Sequence, residues 1–110
     1  MARRVARGEI WQYRFKHPDK RRPVVVLSRE EVIPLLHTVM VAPITSTIRG
    51  LPSEVRVGAD EGLKRESAIN LDHVQTVEQA ALTALVGTLS DAKMQNVCRA
   101  LTVATGCSTP

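Results

Sequence analysis

Two apolar, β-branched runs do most to restrict the folds open to this chain. The first, Pro23-Val24-Val25-Val26-Leu27, is entered by Arg22 and left by Ser28; the second, Val39-Met40-Val41-Ala42-Pro43-Ile44, is left by Thr45. Both have strand length and are bounded by Pro or polar residues, the punctuation of partly or fully buried strands. The first run does not alternate, so it reads as a central strand covered on both sides. Pro43 implies a bulge or an edge near the end of the second. If the two strands pair, a cationic fork and a hydroxyl converge at one end of a small sheet.

Shorter strand-like runs surround this pair. In Ile10 to Phe15, Ile10, Gln12 and Arg14 fall on one face, and Trp11, Tyr13 and Phe15, the three aromatic residues of the chain, fall on the other. That aromatic face is either the main hydrophobic patch of a ring-poor core or a base-stacking platform beside basic residues. Ser53 to Val57 alternates with Val55 and Val57 inward. Ser67 to Val77 alternates imperfectly, with Ile69, Leu71 and His73 on the face of Ser67 and a break expected near Asp72. Leu85 to Leu89 is a last strand, and Glu78 to Leu82 a short helical or turn segment. Ser28-Arg29-Glu30-Glu31 has the capping-box arrangement of a short helix. Ser90 caps the best helix, Asp91 to about Ala104, whose Met94, Val97, Cys98 and Leu101 form one buried stripe. The sum is five or six short strands and a terminal helix with no long parallel crossover. The expected architecture is therefore mainly β with helices: a small antiparallel barrel or half-barrel capped by the C-terminal helix.

A chain of 110 residues forms a single domain, 1–110. Residues 1–7 are expected to be a flexible basic arm or a surface clamp, and 106–110 a tail. A core built from Val, Leu, Ile, Met and Ala leaves little stability in reserve, so a homodimer burying a further apolar face is expected. The formal net charge is +4, but residues 1–22 alone carry +6. Positive charge concentrated at one end attracts a polyanion such as nucleic acid or an acidic protein, or else solvates the domain. Cys98 and Cys107 have no metal-ligand spacing; Cys98 reads as a core residue. No secretory signal or membrane-spanning run is visible, which makes the cytoplasm the expected compartment.

No phosphate loop, metalloprotease helix, nucleophile elbow or zinc-finger spacing occurs, so no metal and no cofactor is expected. RNA can be cut without either, because its own 2′-hydroxyl can attack the adjacent phosphorus. The protein must then manage a proton, neutralise the phosphate oxygens and help the 5′-oxygen leave. A guanidinium held extended between Pro18 and Pro23 matches two phosphate oxygens with two donors. A hydroxyl adds a third. Arg22 and Thr45 meet this need if they reach one phosphate; otherwise Arg22 only binds an anion and Thr45 only satisfies its turn. His17 in the basic loop and His73 near a strand end are placed to assist proton transfer, against an exposed or structural role for each. His37 lies in the linker between the two runs.

The order of these segments resembles the MazF/PemK family of toxin endoribonucleases. The matching stretches are Gly8-Glu9-Ile10-Trp11, Arg22 to Ser28, Val41-Ala42-Pro43-Ile44-Thr45-Ser46, Leu51-Pro52-Ser53-Glu54-Val55, Glu66 to Val77, and Val86-Gly87-Thr88-Leu89. The resemblance implies an SH3-like barrel with an added C-terminal helix, acting as a homodimer. It also implies metal-independent cleavage of single-stranded RNA at short sequences, leaving 2′,3′-cyclic phosphate and 5′-hydroxyl ends. A cognate antitoxin with an acidic disordered tail would hold the protein inactive. The family's catalytic Arg and Thr fall on Arg22 and Thr45. Ser46 and Thr47 would line the same pocket, and Arg14, Lys16, Lys20, Arg21 and Arg49 would bind RNA. Since a guanidinium almost never releases its proton, Arg22 is read as an electrostatic clamp. Glu9 and Glu66 are read as framework or ion-pair partners.

The chain departs from the family at the loop after the first strand. Many members carry a longer one containing Gly-Ser-Glu; here it is Lys16-His17-Pro18-Asp19-Lys20-Arg21. That change leaves room for His17 as an auxiliary acid or base, and admits messenger, transfer or ribosomal RNA as target. The alternative function is a non-catalytic RNA-binding or protein-inhibiting toxin module of the same fold.

Overall fold

The computed structural model describes residues 5–15 and 21–108. Seven antiparallel strands follow in chain order: β1 (Glu9–Arg14), β2 (Arg21–Val26), β3 (Thr38–Thr45), β4 (Glu54–Val57), β5 (Ser67–Asn70), β6 (Gln75–Glu78) and β7 (Leu82–Thr88). One helix, α1 (Asp91–Ala104), completes the fold. The spatial order is β4-β5-β3-β2-β1-β7, with β6 also on β3. The imperfect run from Ser67 accounts for the strand beyond the expected six, because a 3-10 turn at Leu71–His73 splits it into β5 and β6. Asn70 Oδ1 accepts from the Asp72 N–H at 2.9 Å and sets that turn, leaving His73 exposed rather than inward beside Leu71.

The long β3 is the hinge of the sheet. Thr38 to Val41 pair with β6, while Ile44 and Thr45 pair with β5. Pro43 sits in the gap where β3 changes partners, a place where a missing N–H costs no ladder bond on that side. The two ends of the sheet, β4 and β7, do not pair. A 3-10 turn at Ala59–Glu61 fills the interval and lies against β7, so the sheet curls into a half-closed barrel.

Both faces of β2 are covered, as its unbroken apolar run requires. Val25 joins the inner core with Ile10, Ala42, Ile44, Val55, Val57, Ile69 and Leu71, and α1 closes that core with Val97 and Ala100. Val24 and Val26 join an outer core with Trp11, Ile33, Val39, Val41 and Leu82. Tyr13 and Phe15 pack on this outer core, edge to face at 4.8 Å. The aromatic face of β1 is thus a hydrophobic patch. Glu9 is framework, as expected: its Oε1 accepts from Trp11 Nε1 at 3.0 Å and from the Ala6 N–H at 2.7 Å.

Two local expectations are corrected, and from Val5 on the N-terminal arm takes the clamp form of its two alternatives. Ser28 caps no helix; its buried Oγ accepts from the Met40 N–H at 2.8 Å and prolongs the β2–β3 ladder. Cys98 is exposed, and the helix stripe runs instead through Met94, Val97, Ala100, Leu101 and Ala104. The N-terminal arm is docked from Val5, which is 3% exposed, while Arg7 bonds the Leu27 carbonyl and the carboxylate of Glu30. Residues 1–4 lie outside the described residues. The helix start is as read: Ser90 Oγ accepts from the Lys93 N–H at 3.1 Å. Ser28→Ala removes an acceptor and strands the Met40 N–H, so a loss of about 1–2 kcal/mol is expected, measured by denaturant unfolding against wild type.

Candidate active site

β2 and β3 pair in the register Val24 to Pro43, Val25 to Ala42 and Val26 to Val41. Arg22 on β2 and Thr45 on β3 each lie two residues beyond the Val24–Pro43 pair, at the same end of the sheet. Both residues are half-buried, and both line one cleft of about 770 Å³ at this end of the sheet. The pairing of the two apolar runs therefore produces the convergence that their ends suggested. Arg21, Ser46 and Thr47 line the same cleft, joined by Gln12 from β1 and Ser67 from β5.

Thr45 serves its turn and keeps a donor. Its Oγ1 accepts from the Thr47 N–H at 3.1 Å, which occupies one lone pair and leaves the hydroxyl hydrogen for another acceptor. The loop carrying Ser46 and Thr47 is fixed from its far end. Glu54 Oε1 accepts from the backbone N–H groups of Arg49 and Gly50 at 3.1 and 2.9 Å.

Not every expected residue converges. Arg49 is exposed on that loop and does not line the cleft. Arg14 ends β1 opposite Arg21 and is not part of the cleft lining. Lys16, His17 and Lys20 lie outside the described residues. The cleft also holds two cations that the sequence reading passed over, Lys64 and Arg65, on the turn before β5. The only signal for them was a basic pair following Gly62. Among the described residues no Asp or Glu lines the cleft, and no carboxylate lies within ion-pair distance of Arg21, Arg22, Lys64 or Arg65. Among the described residues no cluster of His, Cys, Asp and Glu could hold a metal ion, and no helix is long and apolar enough to cross a membrane.

A curled antiparallel sheet with a C-terminal helix packed on it and a cleft lined by cations and hydroxyls defines a small, mainly β protein whose cleft matches an anion in charge. Residues 6–105 match the family model described as PemK-like, MazF-like toxin of type II toxin-antitoxin system. The chain is 50% identical over 105 residues to the probable endoribonuclease MazF5 of Mycobacterium tuberculosis strain H37Rv, covering 94% of each protein. Among solved structures it superposes on the Mycobacterium tuberculosis toxin MazF-mt6 with a TM-score of 0.82 and 38% identity, over 89% of this chain and 96% of that one. A mycobacterial endoribonuclease solved in complex with its cognate antitoxin shares the fold, with a TM-score of 0.85 at 23% identity over 96% and 99% of the two chains. This chain belongs to the PemK-like, MazF-like toxin family of type II toxin-antitoxin systems.

Proposed function

We propose that the protein is a toxin endoribonuclease that cuts single-stranded RNA in the Arg22–Thr45 cleft by attack of the 2′-hydroxyl on the adjacent phosphorus. The new bond joins the 2′-oxygen to phosphorus as the bond to the 5′-oxygen breaks, giving a 2′,3′-cyclic phosphate and a 5′-hydroxyl. The observation that carries this reading is that Arg22 and Thr45 line one cleft to which, among the described residues, no acid contributes. Arg22 clamps the two non-bridging oxygens, whose charge grows as phosphorus becomes five-coordinate, and the Thr45 hydroxyl supplies a third donor. His17 remains in the proposal as the imidazole that moves the proton. The described lining offers cations where a magnesium site offers carboxylates, which supports charge neutralisation by the guanidinium in a metal-independent reaction.

The relatives named as endoribonucleases support the activity. The unpaired cations support neutralisation by a cognate antitoxin whose acidic disordered tail lies across the cleft, and a mycobacterial neighbour is solved with its own antitoxin. Exposed Leu35, Leu36 and Met40, at 78%, 48% and 43%, support a homodimer that covers them. The action is placed in the cytoplasm, where RNA is met.

Purified protein is expected to cut a single-stranded RNA library in the presence of chelator, leaving cyclic-phosphate and 5′-hydroxyl ends. Thr45→Ala is expected to slow the single-turnover rate by about 10²-fold, the effect of losing one aligned donor. Abolition of cutting by chelator overturns the mechanism. Tight binding of RNA with no cutting under any condition favours the non-catalytic module instead.

A further inference from the structure

We infer that Lys64 and Arg65 form a second phosphate subsite, which takes an RNA backbone phosphate next to the scissile one. The inference rests on the nuclease reading above and extends it to how the strand is held. Among the described residues four cations line the cleft, Arg21 and Arg22 on β2 and Lys64 and Arg65 on a separate segment. A single phosphodiester carries one negative charge and is met by one guanidinium fork. A volume of about 770 Å³ also exceeds what one phosphate fills, since clefts of roughly 300–1,000 Å³ enclose whole drug-sized ligands. Both the surplus charge and the surplus space suit a strand with at least one further phosphate.

Two cations elsewhere on the surface are tied to neighbours. Arg56 is paired with Glu66 at 3.2 Å, and Lys93 Nζ donates to the Arg56 carbonyl at 2.8 Å. Lys64 and Arg65 are exposed and, among the described residues, have no carboxylate partner. Their backbone, in contrast, is held firmly. The Leu63 N–H donates to the Gly58 carbonyl at 3.1 Å, the Leu63 side chain packs on the inner core, and buried Ser67 donates its Oγ–H to the Arg65 carbonyl at 3.1 Å. An anchored turn with free cationic tips is a preorganised anion site, because little backbone entropy is lost when the ligand arrives. The subsite acts on binding and does not touch the reacting atoms.

The test compares wild type with Lys64→Gln/Arg65→Gln, and with Lys93→Gln/Arg99→Gln as an equal loss of charge elsewhere. Binding to a 2′-O-methyl single strand, which cannot be cut, is measured from 50 to 200 mM salt. The cleft variant is expected to bind about tenfold more weakly at 50 mM salt. Its log–log salt slope falls by about 0.7, the value for one phosphate of a single strand, so its deficit shrinks by about 2.5-fold across the range. In cleavage, its KM rises while kcat changes less than about twofold. The helix variant keeps the wild-type slope. An unchanged slope in the cleft variant, an equal fall in both variants, or a lowered kcat at unchanged KM overturns the subsite. Absence of cleavage in wild type sinks the nuclease reading, while the uncleavable strand still decides the subsite.

Discussion

Arg22→Ala is expected to lower the single-turnover rate of RNA cleavage by at least about 10³-fold while the protein stays folded. One oxyanion donor is worth about 10²–10³-fold in rate, and a bidentate guanidinium on a phosphate gaining charge belongs at or above the upper end. The fold should tolerate the change. Arg22 is half-buried near the end of β2 and, among the described residues, makes no ion pair, whereas the apolar run from Val24 carries the packing on both faces. Arg22→Lys separates charge from geometry. It keeps the cation but loses the two-pronged fork, so KM for RNA should stay near wild type while most of the rate loss persists. Rates are measured with enzyme in excess, and folding by thermal melting. A fully active Arg22→Ala protein with wild-type melting would remove the guanidinium from the chemistry.

Where local pattern and tertiary contact agree, the sequence was readable. β2 could be read because four consecutive apolar residues from Val24 to Leu27 allow no solvent-facing side, and each proves buried. Its pairing with β3 puts Arg22 and Thr45 in the lining of one cleft, so this part of the candidate site could be anticipated from two runs and their end residues. The misreadings share a physical cause. Ser28 with Glu31 satisfies the local rule for a helix cap, but the Ser28 hydroxyl is taken by the Met40 N–H of a neighbouring strand, a partner that no local rule includes. Cys98 and Ala100 both fit helical spacing from Val97 and Met94. The packing of α1 on β4 and on the Leu71–His73 turn decides between them, and the Arg7 guanidinium approaches the exposed Cys98 sulfur at 3.3 Å. Val5 looked like part of a charged arm because the cluster in which it is buried is assembled from residues distant in sequence, among them Ile33 and Leu82. Lys64 and Arg65 were hidden for the same reason, since a basic pair in a turn becomes part of a site only through the way that the sheet closes.

That closure yields the second large effect. A Cβ on Gly87 would collide with the carbonyl of Glu61, and a Cβ on Gly62 would come within 2.6 Å of the Val86 carbonyl oxygen. Two backbones therefore meet where β7 passes the 3-10 turn, and this contact bridges the unpaired interval between β4 and β7. Gly87→Val must push them apart, and overpacking against backbone that cannot turn aside costs about 3 kcal/mol, the upper end of the usual range. For a domain of this size such a loss lowers Tm by roughly 15 °C. Gly50→Ala provides the contrast. Gly50 has φ +72° but nothing within 4 Å of an added Cβ, so only the left-handed backbone is penalised, by about 1–2 kcal/mol. A Gly87→Val protein that melts with wild type would mean that turn and strand are apart in solution. If they are in contact, the variant carries a second signature. The displaced turn leads directly into Lys64 and Arg65, so below its melting point Gly87→Val should bind single strands more weakly with a shallower salt slope, although no charge has been removed.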